Sequence, residues 1–423
     1  MELRASADCG RVSADGSEMH YVTLTFTAPP AETTKQRDPV NLGIAIDRSG
    51  SMSGHKYELA CKGVETSLRM LHETDRFALV AFDHEVTAVT GSVNATLEAR
   101  WKAVQDLRRM SARGNTNLSG GWLTVADEAV SRAARGEVTR VIVLTDGQAN
   151  AGLLDEQQFE AAAKQLRTRG IVTSTLGIGR DFNERLLERM AIAGGGNSYY
   201  IENAEQLPDV LAGETGETLE VVLREACVEV HAPQGARVIL LERYESQRVA
   251  GGQRVLLGDL TSRQLVQLSF EVVLPAADPG ASVAMEFALH AIGMPAALGT
   301  ARLVWECVTP EEAAAAPRDP ATLAAVAPLI EARARHEAIE YNRQGQFAQS
   351  RRVLRDTAQR LREVAPSLEN ALMRAMSLES DEAAHGQVMD ASDMKRRHIA
   401  AHQVQRGRDE MGKARKGREG DQG

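Results

Sequence analysis

Residues 40–51 of the chain read Val40-Asn41-Leu42-Gly43-Ile44-Ala45-Ile46-Asp47-Arg48-Ser49-Gly50-Ser51. The apolar first half predicts a buried β-strand, and a helix is predicted to follow it from about Lys56. Such a strand delivers the carboxylate of Asp47 and the hydroxyls of Ser49 and Ser51 to one turn. Oxygen ligands without a thiolate or an imidazole suit Mg²⁺, Mn²⁺ or Ca²⁺ rather than zinc. The stretch therefore predicts a divalent-cation site at a strand end.

Two further oxygen-bearing side chains follow in similar contexts. Thr116 lies in the Gly-Asn-Thr-Asn sequence 114–117, and Asp146 directly follows the run 141–145, of which residues 141–144 are predicted to be a buried strand. Predicted strands and helices alternate between about residues 40 and 211, which favours a mainly parallel, doubly wound α/β sheet. Ligands of such sheets bind beyond the carboxyl ends of the strands, where Asp47 and Asp146 are expected.

The Asp-x-Ser-x-Ser sequence 47–51, together with Thr116 and Asp146, resembles the von Willebrand factor A domain and its metal-ion-dependent adhesion site over residues 39–213. The resemblance implies that Ser49 and Ser51 bind Mg²⁺ or Mn²⁺ directly. It implies that Thr116 binds directly or through water. Asp47 and Asp146 are then expected to act mainly through waters and hydrogen bonds to the hydroxyls. One coordination position remains for an acidic side chain of a partner protein.

The regions on either side of the α/β segment are rich in predicted strands. Residues 1–38 contain the alternating run Met19–Thr27, and residues 214–308 contain seven short runs typical of an antiparallel β-sandwich. We expect the N-terminal strand to join this sandwich, because an isolated strand leaves its backbone groups unpaired. The α/β domain would then be inserted in a β-sandwich, an arrangement that resembles integrin β-subunits and inter-alpha-trypsin inhibitor heavy chains. The alternative is a free N-terminal arm.

The last part of the chain is predicted to be helical and then disordered. Residues 309–379 contain three predicted helices, the third running from Leu368 to Leu378, and the run 338–354 resembles one tetratricopeptide-type hairpin. One hairpin is too little for a solenoid core, so a helical bundle packed against the sandwich is favoured. Residues 380–423 are polar, with a basic run from Lys413 to Arg418, and are expected to form a disordered tail.

Composition limits the location and the kind of partner. The formal net charge of −9 argues against a general nucleic-acid binder. The cysteines are scattered and match neither a disulfide framework nor a zinc pattern, although a pair between Cys9 and Cys307 is left open. No secretory leader and no run of membrane-spanning length is apparent, so a cytoplasmic location without membrane insertion is expected.

The expected function is a metal-dependent adaptor that binds an acidic residue of another protein. The resemblance implies partners such as an ATPase or a multi-protein assembly. No nucleophile elbow, Walker loop or zinc-protease motif occurs, and the Gly177-x-Gly179 sequence lacks a third glycine, so no enzyme activity is expected. Two alternatives remain: a metal-dependent phosphoester hydrolase, and a scaffold whose ion only stabilises the loop. Near the site, Arg48 is expected to be solvated and Asp83 to cap a strand end.

Overall fold

The computed structural model describes residues 1–31, 37–131, 137–364, 369–408 and 413–417. The chain forms two compact units. The α/β unit contains the described residues between 30 and 222 together with Lys413, and the discontinuous unit contains the described residues of 1–29, 223–408 and 414–417. The boundary expected at residue 38 adjoins residues 32–36, which are outside the described part. Leu368, the predicted start of the third C-terminal helix, and Arg418, the end of the predicted basic run, are also outside it.

The described residues contain strands and helices that are numbered along the chain. The strands are β1 (Arg4–Ala7), β2 (Arg11–Ser13), β3 (Met19–Thr27), β4 (Val40–Asp47), β5 (Arg76–Phe82), β6 (Val86–Asn94), β7 (Val138–Thr145), β8 (Ile171–Ile178), β9 (Gly195–Ile201), β10 (Val221–His231), β11 (Arg237–Leu240), β12 (Glu245–Val249), β13 (Gly252–Thr261), β14 (Leu265–Val273), β15 (Ser282–His290) and β16 (Gly299–Val308). The helices are α1 (His55–Met70), α2 (Leu97–Arg108), α3 (Leu118–Val130), α4 (Glu156–Thr168), α5 (Glu184–Ala193), α6 (Leu207–Leu219), α7 (Pro310–Ala314), α8 (Pro320–Arg343), α9 (Phe347–Val364), α10 (Glu369–Ala384) and α11 (Ala391–Gln405).

The α/β unit is a doubly wound sheet of the Rossmann type, as the sequence predicts. Its strand order is β6-β5-β4-β7-β8-β9. All neighbours are parallel except β6, which pairs antiparallel with β5 at one edge. The chain leaves β4 for β5 on one side and later returns to β7 on the other. The carboxyl end of β4 is therefore a switch point in strand order, which is where such sheets bind ligands.

Both faces of this sheet are covered, which explains why its central strands are mostly apolar. Ile44 and Ile46 lie in a core that includes residues of α1, α2 and α6, whereas Ala45 lies in a second core with residues of α3, α4 and α5. In the second core the rings of Trp122 and Phe159 stack at 6.0 Å. Each fully buried side chain of this size stabilises the fold by about 1.5–3 kcal/mol. This packing holds the end of β4 in place.

The discontinuous unit contains two sheets. One has the order β1-β3-β14-β11, and the other has the order β12-β13-β10-β15-β16-β2. The N-terminal strand β3 pairs antiparallel with β14 along its whole length, from Met19 opposite Val273 to Thr27 opposite Leu265. The rings of Phe270 on β14 and Phe287 on β15 lie 5.9 Å apart, so side chains of the two sheets meet.

Helices complete the discontinuous unit. The core of α8, α9 and α10 includes Tyr21 of β3 and Leu241, so these helices pack against the four-stranded sheet. Within the described residues, no helix has the length and the apolar character needed to cross a bilayer.

The C-terminal region differs from the disordered tail expected from Ser380 onward. Helix α10 extends to Ala384, and Ala391–Gln405 forms a further helix, α11. Apart from Ala401, the buried face of α11 is composed of polar residues with long or ring-shaped side chains, which recur at helical spacing: Lys395, His398, His402 and Gln405. A search for apolar periodicity misses such a face, because these side chains bury their carbon atoms without being hydrophobic residues.

We expect Glu242→Gln to reduce the pH dependence of stability. Glu242 is buried, its Oε2 accepts a hydrogen bond from the Ser269 backbone N–H at 2.9 Å, and burial raises its pKa to about 8. The folded state therefore holds a proton that the unfolded state releases near pH 4.5, the ordinary value for glutamate. The stabilisation that the protonated Glu242 contributes is fully present below pH 4.5 and is lost as the pH rises towards about 8.

Urea unfolding between pH 5 and pH 8.5 measures this effect. The free energy of unfolding of the wild type should fall with pH more steeply than that of Glu242→Gln. Glu306→Gln, at an exposed position paired with Arg11, should keep the wild-type slope. Equal slopes for the wild type and Glu242→Gln would contradict the assignment.

Candidate metal centre

The carboxylate of Asp47 is fixed at the end of β4 by two hydrogen bonds. Its Oδ1 accepts from the Ser49 backbone N–H at 2.7 Å, and its Oδ2 accepts from Thr145 Oγ1 at 2.6 Å. Asp47 is completely buried. Burial raises its pKa to about 6, although the hydrogen bonds from Thr145 and Ser49 act in the opposite direction. A nearby cation reverses this preference and favours the ionised carboxylate.

The two serine hydroxyls meet in the turn between β4 and α1. Ser49 Oγ and Ser51 Oγ lie 3.1 Å apart, and Ser51 Oγ donates to Asp146 Oδ1 at 2.6 Å. Neighbouring ligands of an octahedral Mg²⁺, each bound at 2.0–2.1 Å, are separated by about 3 Å. The hydroxyl pair therefore fits one such ion, with Asp146 in position to accept from a hydroxyl that binds it.

Thr116 reaches the same turn from the loop before α3. The Gly50 backbone N–H donates to the Gly114 carbonyl at 3.1 Å, and the Thr116 backbone N–H donates to Asn150 Oδ1 at 2.8 Å. A Cβ atom placed on Gly147 would lie 3.1 Å from Thr116 Oγ1 and 3.7 Å from Ser51 Oγ. Thr116 and Ser51 thus line one space beside Gly147, and the missing side chain at Gly147 keeps that space open.

A lysine lies beside this cluster. Lys56 Nζ is 2.6 Å from Asp146 Oδ2 and 3.3 Å from the Ser51 carbonyl oxygen. The sequence places Lys56 only at a helix start, because its contact with Asp146 depends on the direction in which α1 leaves the turn. The ammonium group of Lys56 partly neutralises Asp146, and its positive charge opposes the binding of a metal ion beside the same carboxylate.

Arg48 is buried rather than solvated, contrary to expectation. Its Nη2 lies 3.0 Å from Asp83 Oδ2, and Arg113 Nε lies 3.1 Å from the same oxygen. The Arg113 backbone N–H donates to the Arg48 carbonyl at 2.8 Å, and the Asn117 backbone N–H donates to the Asp83 carbonyl at 2.7 Å. Asp83 and Arg48 therefore hold the loop that carries Thr116 against the end of the sheet.

The structure brings all five predicted site residues to one edge of the α/β sheet. Asp47, Ser49, Ser51 and Asp146 are connected by direct hydrogen bonds, and Thr116 adjoins them across Gly147. The donors are all oxygen atoms, which fits Mg²⁺ or Mn²⁺. Sequence reasoning missed Thr145, Asn150 and Lys56. Of these, Thr145 had a usable signal, since it ends the strand next to the one that carries Asp47.

Comparison with known proteins identifies relatives of the α/β unit. Residues 41–212 match the von Willebrand factor type A domain family. The uncharacterized protein YfbK of Escherichia coli K12 is 27% identical over 241 residues, which are 55% of this chain and 42% of YfbK. Inter-alpha-trypsin inhibitor heavy chain H1 of Mesocricetus auratus is 28% identical over 255 residues, which are 58% of this chain and 27% of that protein. The chain thus matches less than half the length of these relatives.

Two solved structures share the fold over most of the chain. A von Willebrand factor type A protein from Catenulispora acidiphila aligns with a TM-score of 0.72 and 17% identity, covering 94% of this chain and 96% of that one. The ArnB paralog VWA2 from Sulfolobus acidocaldarius aligns with a TM-score of 0.58 and 13% identity, covering 96% and 98%. At these identities the similarity concerns the fold alone. It extends beyond the region that matches the domain family.

Proposed function

Residues 41–212 form a von Willebrand factor type A domain, and we propose that this domain binds partner proteins through a divalent cation. The residues proposed to hold the ion are Asp47, Ser49, Ser51, Thr116 and Asp146. The observation that carries the proposal is the hydroxyl pair of Ser49 and Ser51, 3.1 Å apart, next to a carboxylate that accepts from Ser51. When bound, Mg²⁺ or Mn²⁺ supplies an electrophilic centre for a carboxylate of the partner.

The charge of the donors favours an acidic partner. Hydroxyl ligands are neutral, so they leave most of the positive charge of a divalent ion uncompensated. Asp47 orients the Ser49 backbone and Asp146 accepts from Ser51, so both carboxylates already have hydrogen-bonded roles. Domains of this family commonly mediate protein–protein interactions. We extend this to an adaptor role, with an ATPase or a multi-protein assembly as the kind of partner to seek.

Access to the site favours binding over a purely structural ion. Ser51 is exposed and the side chain of Lys56 is 37% exposed, so another protein can reach this edge of the sheet. Phosphoryl transfer with two metal ions uses carboxylates that bridge them. Asp47 is buried and bonded to Ser49 and Thr145, which is poorly suited to bridging, and this favours binding over hydrolysis.

Affinity capture tests the proposal. Wild-type protein in Mg²⁺ should retain partners, identified by mass spectrometry, that are lost on chelation and lost with Asp47→Ala. Asp106→Ala, which removes a carboxylate from α2 instead, should retain them. Equal recovery of partner proteins with and without chelator would show that binding does not depend on the ion. Chelation that lowers the melting temperature without changing capture would favour the scaffold, and Mg²⁺-dependent phosphoester turnover would favour the hydrolase.

We expect Lys56→Met to tighten Mg²⁺ binding by about three- to tenfold, because the ammonium close to Asp146 repels a divalent ion in the same site. Isothermal titration calorimetry measures the change. The exposed Lys62 on the same helix provides the matched control, and Lys62→Met should bind Mg²⁺ as the wild type does. Weaker Mg²⁺ binding by Lys56→Met would mean that Lys56 mainly orients Asp146.

A further inference from the structure

A second group of possible metal ligands lies in the discontinuous unit. Cys9 Sγ is 3.3 Å from His20 Nδ1, and His20 Nδ1 is 3.7 Å from Asp8 Oδ1. One ligand atom from each of the three residues lies within 4.8 Å of the other two. Asp8, Cys9 and His20 are all buried, with exposed fractions of 0%, 5% and 1%. The group combines sulfur, nitrogen and oxygen, unlike the oxygen donors of the α/β unit.

The distances match those of ligands around one zinc ion. Tetrahedral zinc binds sulfur at about 2.3 Å and nitrogen or oxygen at about 2.0–2.2 Å, which separates neighbouring ligand atoms by about 3.4–3.6 Å. An independent observation also points to a ligand. Asp8 Oδ1 is completely buried, faces His20, and accepts no hydrogen bond from any residue that the structure describes. A buried carboxylate oxygen without a donor is costly unless a cation binds it.

The surrounding residues support the same assignment. Asp8 Oδ2, the other carboxylate oxygen, is held by Arg318. Glu18 Oε2 lies 3.9 Å from His20 Nε2, the ring nitrogen that faces away from Cys9. A carboxylate on the outer nitrogen of a metal-binding histidine fixes the ring and favours the tautomer that leaves the inner nitrogen free to bind. Two of the three proposed ligands, Asp8 and His20, therefore have a charged residue beside them.

We propose that Asp8, Cys9 and His20 bind a zinc ion. The thiol of Cys9 gives its proton to solvent as the sulfur–zinc bond forms, and the thiolate and the carboxylate together neutralise the ion. The site joins the turn between β1 and β2 to the start of β3, and through Asp8 it connects to Arg318 just before α8. Three protein ligands leave the fourth tetrahedral position to water. Structural zinc sites usually have four protein ligands, and this site differs in having three.

A nucleophilic role for Cys9 fits the same geometry less well. Cys9 and His20 are as close as a nucleophile and its base, but a nucleophile must be reached by substrate. Cys9 and His20 are both buried, so a substrate does not reach the thiol. Burial is instead compatible with a structural ion that binds as the chain folds.

Cobalt substitution tests the proposal on the full chain. Co²⁺ added to chelator-treated protein should give a thiolate-to-cobalt charge-transfer band, displaced by one equivalent of Zn²⁺. The band should be absent in Cys9→Ser and present in Cys61→Ser, which changes a buried cysteine of the α/β unit. It should persist in Asp47→Ala, because the site proposed there has no sulfur ligand. The result is thus independent of the outcome for the Mg²⁺ site.

Glu18→Gln provides a milder variant should Cys9→Ser fail to fold. Loss of an outer carboxylate typically weakens metal binding about 10- to 100-fold, so Zn²⁺ affinity, measured by competition with a chromophoric chelator, should fall by that factor. Folded wild-type protein without a thiolate–cobalt band, or Cys9→Ser with wild-type Zn²⁺ affinity, would overturn the proposal. Unchanged Zn²⁺ affinity in Glu18→Gln would also count against it.

Discussion

Asp47→Ala should weaken Mg²⁺ binding by about 100-fold while the chain remains folded, if the proposed site is correct. The loss has two causes. One negative charge disappears beside the ion, and the Ser49 backbone N–H loses the acceptor that sets the direction of the serine turn. The Thr145 hydroxyl loses its acceptor on Asp47 and keeps only the Gly147 carbonyl oxygen at 3.4 Å. Titration calorimetry with Mg²⁺ measures the affinity directly, without a partner protein.

Controls separate the loss of charge from damage to the turn. Asp47→Asn keeps an oxygen that can accept from the Ser49 backbone N–H but removes the charge, so its Mg²⁺ affinity should also fall while its stability falls less. Leaving the Ser49 backbone N–H unpaired in Asp47→Ala costs about 1–3 kcal/mol, so circular dichroism and urea unfolding should accompany the titration. Folded Asp47→Ala with wild-type Mg²⁺ affinity would exclude Asp47 from the site.

The α/β unit was predictable because its strands are buried on both faces. The run Val40–Ile46 predicts a strand, and β4 spans Val40–Asp47; the run 141–144 predicts another, and β7 spans Val138–Thr145. Parallel neighbours of this kind bring their carboxyl ends to one edge, so Asp47 and Asp146 come together by topology alone. The meeting of these two carboxylates therefore follows from hydrophobic patterning and the order of strands and helices.

The features that escaped prediction depend on side-chain direction or on contacts distant in sequence. To predict that Arg48 is buried against Asp83, one must know that two strand ends adjoin and that the guanidinium turns inward. Predicting the contact between Cys9 and His20 requires knowing that β1 pairs with β3, because this pairing places the residue stretch after β1 beside the start of β3. Neither contact produces a period in the sequence. Contacts of this kind cannot be predicted from sequence patterns alone.

Glu214→Ala should strongly destabilise the α/β unit, because it breaks a buried ion pair. Glu214 on α6 is completely buried, and Arg140 Nη1 on β7 donates to its Oε1 at 2.6 Å. The carboxylate also accepts from Ser174 Oγ at 2.5 Å, from Asn197 Nδ2 at 3.0 Å and from Tyr199 Oη at 2.5 Å. These bonds join α6 to three neighbouring strands of the sheet.

Truncating Glu214 leaves the charge of Arg140 buried without this carboxylate, which typically costs about 3–5 kcal/mol. The expected result is a loss of that size in the free energy of unfolding, measured by urea. Replacing both charges, as in Arg140→Met with Glu214→Met, should recover part of it, because the buried charge of Arg140 is gone as well. Glu214 is held by a network separate from the hydrogen bonds of Asp47, so the folded fraction should keep its Mg²⁺ affinity. A loss below about 1 kcal/mol would mean that water or other groups replace the carboxylate.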